Sequence, residues 1–165
     1  MESLNQTLQL KLINKKTRPS FEYESNGEYI IALFDTEAIV PVWCAGENVL
    51  RKAYPESVKQ ERKCELSGFG RGTIDACIYV IPDFILTKDD IVFHIHNLYI
   101  AVCEMEKVGC DFVLSETMFS HTDMVYTRRS EKKLDIEFEN REYYCTPRFF
   151  GKHMEVVTWV QNESK

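Results

Sequence analysis

Three groups of residues in this chain have the types and spacing for chemistry. The first is the pair Asp35-Thr36 in EYIIALFDTEAIVPVW (28–43), which separates two apolar runs and has Glu37 beside it. A carboxylate at the end of an apolar strand is expensive to bury without partners or a task, and a positioned carboxyl can act as a general acid or base. The plain alternative is a turn, opened by Asp35 and braced locally by Thr36. The second group is His94 and His96, two apart and so on one face of a strand, with Cys103, Cys110 and His121 following. There is no H-E-x-x-H and no closed Cys/His spacing, so these read as partly exposed strand histidines and no metal is expected. The third is a cysteine–histidine hydrolase drawn from six cysteines and four histidines, but no local signature marks a nucleophile.

The elements that must position these residues are mostly strands. Leu8, Leu10 and Leu12 alternate with polar neighbours, as do Leu134, Ile136 and Phe138, which predicts two half-buried strands. Asn26-Gly27 lies between two strand-like runs and predicts a tight hairpin whose second strand, Tyr29 to Phe34, leads into Asp35. AIVPVW is a further apolar run, in which Pro41 argues for an edge or an irregularity. Val49, Leu50, Ala53 and Tyr54 share a helical face, and Pro55 stops that helix. CELSGFGRGTIDACIYVIPDF places a glycine-rich centre between two extended arms. IVFHIHNLYIAVCEM and CDFVLSETMF supply two more strands, the second ending in a short helix, and MVYTRR with SEKK and LDIEFE forms a closing hairpin.

Composition narrows the setting. The chain has 165 residues, 44% apolar and 28% charged, with net charge −6, which predicts one ordinary globular domain. KLINKK and RRSEKK are its densest basic patches and read as solvated strand ends, so no nucleic-acid partner is expected. No apolar run approaches the ~18 residues of a membrane span. The N-terminal residues lack the basic-then-apolar order of a signal peptide, and the cysteines include no C-x-x-C; reduced, packed thiols in the cytoplasm are expected.

Strand, turn, strand, Asp35-Thr36-Glu37-Ala38, an apolar strand, a hairpin centred on SGFGRG, and then DFVLSETMF near a short helix: this order resembles the retropepsins, the half-size aspartic peptidases of retroviruses and related cellular proteins. The resemblance covers about residues 21–119, with 124–139 as an outer hairpin and extensions at both ends of a single domain. It implies a mainly β, closed-barrel acid-protease fold with one or two short helices. By the same resemblance Asp35 matches the catalytic aspartate and Thr36 the hydroxyl residue that braces the active-site loops. Gly68, Phe69, Gly70, Arg71 and Gly72 match the tip of a substrate-binding flap, where glycine lets the backbone bend over a peptide; the plain alternative is a simple glycine turn.

No other aspartate in the chain is followed by Thr or Ser, so the implied dyad needs two copies and a homodimer with Asp35 on its two-fold axis. Such a pair would share one proton and activate a water against a peptide bond, with no cofactor and no metal. The sequence also departs from the family. Glu37 stands where glycine is expected and would impair the peptidase; a pseudopeptidase that binds extended peptides without cutting them is the alternative. Ile39-Val40 and Ser115-Glu116-Thr117 lack both partners of the ion pair that braces many retroviral members.

Overall fold

The computed structural model describes residues 5–12, 20–35, 43–67, 72–104, 110–119, 122–126 and 133–160. Twelve strands, one α-helix and one 3-10 turn account for most of them: β1 Asn5–Lys11, β2 Ser20–Ser25, β3 Glu28–Asp35, β4 Trp43–Cys44, α1 Glu47–Ala53, β5 Val58–Ser67, β6 Thr73–Lys88, β7 Ile91–Val102, β8 Phe112–Ser115, a 3-10 turn Glu116–Phe119, β9 Asp123–Tyr126, β10 Lys133–Glu139, β11 Tyr143–Phe150 and β12 His153–Val160. The fold is mainly β, as the sequence predicts.

The local signals act where they stand. Asn26 and Gly27 both have positive φ (52° and 77°), the geometry of a two-residue hairpin turn whose twist suits the flanking strands. It joins β2 and β3 in register from Ser25↔Glu28 to Ser20↔Leu33. Helix α1 docks on this hairpin. Ser25 Oγ donates to Ala53 O at 2.7 Å and Asn26 Nδ2 to Lys52 O at 2.9 Å, satisfying carbonyls that a helix end leaves unpaired. The Tyr23 and Tyr54 hydroxyls meet at 2.8 Å in the core beneath.

A nine-stranded sheet runs β11-β12-β5-β6-β7-β4-β8-β3-β2, and β11 also pairs with β7. That extra pairing closes β5, β6, β7, β11 and β12 into a five-stranded barrel. Antiparallel hairpins make three of its joints, β5/β6, β6/β7 and β11/β12. Parallel contacts make the other two: Tyr143↔Ile95 and Tyr144↔His96 between β11 and β7, and His153↔Glu65 between β12 and β5. Residues beyond the closing hairpin thus supply two of the five barrel strands, a role the sequence alone leaves open.

A second sheet, β1-β10-β9, carries the two alternating patterns face to face, with Leu8↔Ile136 and Leu10↔Leu134 paired and buried. Phe93 of β7 ties the sheets together: its ring lies 5.8 Å from Phe119, 5.0 Å from Phe138 and 5.3 Å from Tyr143. Among the described residues no helix is long and apolar enough to cross a membrane.

Candidate active site

Asp35 is the last residue of β3, and its register partner is Ser115, the last residue of β8. The two strands run parallel, pairing Ala32↔Phe112, Leu33↔Val113, Phe34↔Leu114 and Asp35↔Ser115. On its other edge β8 pairs antiparallel with β4, through Trp43↔Val113 and Cys44↔Phe112. The chain therefore leaves β3 at Asp35 and returns as β4 with β8 held between them. All four residues of β8 are buried, Ser115 at 1% exposure, and Met118 and Phe119 of the 3-10 turn seal the end. Thr36, Glu37 and Ala38, with Ile39 and Val40, lie outside the described residues, as does the stretch through Val42.

Asp111 fastens this arrangement. Its N–H donates to Ile31 O and its Oδ2 accepts from the Ile31 N–H, each at 2.8 Å, while its carbonyl accepts from the Ala45 N–H at 2.9 Å. One residue so ties β8 to β3 and to the segment after β4. The sequence gives little warning of it, since an aspartate one residue before an apolar strand is common. Asp111→Ala would leave the Ile31 N–H without its acceptor, and a loss of about 1–3 kcal/mol in denaturant unfolding is expected, with Asp111→Asn recovering part of it. Across the same junction, Trp43 is buried and its Nε1–H donates to Cys103 Sγ at 2.9 Å.

The glycine-rich segment lies at the end of the β5/β6 hairpin. The arms pair Leu66↔Ile74 and Ser67↔Thr73, and Gly72 at the foot of the turn has φ +72°, which a residue with a Cβ adopts at a cost. Gly68, Phe69, Gly70 and Arg71 lie outside the described residues. The arm is anchored to the barrel: Glu65 N–H donates to Lys152 O at 2.7 Å. The Arg62 guanidinium lies 3.4 Å above the centre of the Phe149 ring.

The other two groups resolve differently. Among the described residues no cysteine joins the histidines in a metal-ligand cluster; His94 and His96 instead meet Asp83. His121 lies outside the described residues. Cys44, Cys64, Cys77, Cys103 and Cys145 are free thiols. Burial pushes the Cys44 and Cys145 thiols up to about 12 and the Cys64 thiol up to about 11, so none of the three is an activated nucleophile. Burial likewise raises the Tyr54 hydroxyl to about 12.

These groups are neutral when folded, whereas an unfolded thiol ionises near ~8.5. Their contribution is complete below that value and is lost as pH rises toward the folded values. Thermal stability is therefore expected to fall as pH rises above about 8.5 toward strongly alkaline buffer, and a flat melting temperature across that range would contradict the burial of these thiols.

No protein-family model and no curated protein matches the sequence. Among solved structures, the chain is similar to a retropepsin-like aspartic protease from Rickettsia conorii, with a TM-score of 0.52, 11% identity, and coverage of 84% of this chain and 96% of that one. The chain has a retropepsin-like fold. At 11% identity the likeness is one of architecture rather than of sequence.

Proposed function

We propose that the chain is an aspartic-type endopeptidase that works as a homodimer on extended peptide or protein substrates. The observation that carries the reading is that a retropepsin-like fold ends β3 on Asp35, at the parallel pairing with Ser115. In this reading Asp35 from each copy forms the acid pair and Thr36 braces the two loops. The segment Gly68, Phe69, Gly70, Arg71 and Gly72 closes over the substrate. The ionised carboxyl takes a proton from water as that water attacks the peptide carbonyl, and the protonated carboxyl donates toward the developing oxyanion and leaving nitrogen. Neither a cofactor nor a metal takes part in that step.

Glu37 supports a second reading, in which the same dimeric cleft holds an extended peptide by strand addition without cutting it. The dimer is common to both readings and is tested first. Sedimentation at micromolar concentration is expected to give twice the 19.3 kDa chain mass; a particle that stays monomeric at every accessible concentration overturns both. Cleavage assays of position 35 and position 37 variants then separate them.

A further inference from the structure

On the outer face of the barrel, β6 and β7 bring Asp83, His94 and His96 together, on the part of β7 that precedes its pairing with β4 at Ala101 and Val102. Asp83 is the direct register partner of His96, and His94 is two residues back on the same strand. His94 Nε2 lies 2.8 Å from Asp83 Oδ1, and His96 Nδ1 lies 3.7 Å from the same oxygen. One ligand atom from each of the three falls within 4.8 Å of the others. Metal–ligand bonds of about 2.0–2.1 Å in a tetrahedron put neighbouring ligand atoms about 3.3 Å apart, and the two measured separations straddle that value.

The surroundings fit ligands better than a chance surface cluster. The remaining nitrogen of His96, Nε2, is hydrogen-bonded to the Glu142 carboxylate. A carboxylate behind the far nitrogen is the arrangement that fixes the tautomer of a ligating histidine and leaves Nδ1 free to bind. The His96 ring is also held in a stack, 4.1 Å from His94 and 4.9 Å from Tyr144, which in turn lies 4.8 Å from Trp159. Among the described residues no lysine or arginine pairs with Asp83 or Glu142, so two carboxylates meet there with only imidazoles between them. A divalent cation would balance that charge.

The backbone bends to make this cluster. The β6/β7 ladder skips the step opposite Pro82, where Asn97 takes φ +59°. Inward-facing residues change parity there on both strands, from Ile81 to Phe84 and from Ile95 to Leu98. Each strand therefore shows two successive residues outward, and Asp83 and His96 sit facing each other at the kink.

We propose that Asp83, His94 and His96 bind a divalent transition metal of the zinc class, with Glu142 orienting His96 from behind. The metal would pin the kinked β6/β7 hairpin and, through Glu142, the parallel seam with β11 that closes the barrel. With three protein ligands, a water completes a four-coordinate site.

The test uses the full chain, stripped with a chelator and kept reduced, titrated with Zn²⁺ by calorimetry and with Co²⁺ by visible absorption. One equivalent of each is expected, with intense d–d bands of four-coordinate Co²⁺, no sulfur-to-cobalt charge-transfer band, and a change in Trp159 fluorescence that Trp159→Phe removes. Asp83→Asn and His96→Ala should each weaken Zn²⁺ binding by more than ~100-fold and Glu142→Gln by about 10–100-fold. His153→Ala, on exposed β12 surface, should change nothing. Far-UV circular dichroism of each variant confirms the fold. Failure of the parent chain to bind, binding indifferent to Asp83→Asn and His96→Ala in folded protein, or a sulfur charge-transfer band would each overturn the site.

Discussion

Hydrolysis of an unfolded protein by the Glu37→Gly variant is expected to exceed that of the parent chain by up to about 10³-fold. With the Glu37 side chains turned inward, a two-fold axis through Asp35 would hold both beside the acid pair, giving four carboxyls in one small volume; turned outward, they would spare it that charge. Each unit-charge pair at ~4 Å costs about 4 kcal/mol at an effective dielectric near ~20, which corresponds to about three decades in rate. Removing the glutamate removes that repulsion and frees the backbone for the tight turn glycine permits. Placing Asp35→Asn in the glycine background should then cost at least about 10²-fold, the lower end of what a positioned acid–base group contributes. Activity is to be followed by peptide release in acidic and neutral buffers. If Glu37→Gly cleaves nothing although it dimerises, binding of extended peptides without cleavage becomes the better account. If it cleaves and Asp35→Asn cleaves equally well, the assignment of Asp35 fails while the fold stands.

Phe93→Ala is the second large effect, and it falls on stability. Phe93 is fully buried and its ring contacts the rings of Phe119, Phe138 and Tyr143. These belong to the turn after β8, to the second sheet and to the strand that closes the barrel. Truncation should destabilise the chain by about 3–5 kcal/mol, measured by denaturant unfolding with an unchanged m-value. Phe93→Leu, which keeps most of the volume, should cost less. A loss below about 1 kcal/mol for the alanine variant would mean that the three elements do not share one packed core.

The parts of the fold legible in the sequence are those with local causes. Asn26-Gly27 announces its hairpin because positive φ at two successive positions favours few residues. Alternating apolar residues announce β1 and β10, and Pro55 ends α1 after Ala53. The pairing of the two arms around the glycine-rich segment is likewise as expected from Cys64↔Ala76 to Ser67↔Thr73, while β5 begins earlier, at Val58, with an irregularity between Lys59 and Lys63.

What was not legible depends on distant pairing. Barrel closure rests on parallel contacts such as Tyr144↔His96 and His153↔Glu65, which leave no periodic mark on either strand. The clamp by Asp111 spans 80 residues to Ile31. Asp83 has no motif linking it to His94 and His96; only the shared register of a kinked hairpin brings the three together. Of the candidate catalytic segment, the order of strands around Asp35 was legible from the resemblance, while the burial of Ser115 beside it was not.

Barrel closure also sets a limit on the order of folding. β7 waits for a partner 48 residues further along (Ile95 to Tyr143) and β5 for one 88 residues further along (Glu65 to His153), so those two joints carry high contact order and should form slowly. During synthesis, a nascent chain that has not yet exposed Tyr143–Val160 carries two open strand edges on an otherwise assembled hairpin pair. The interval before the last two staves arrive is therefore when this protein is most exposed to self-association, and when a chaperone would have most to shield.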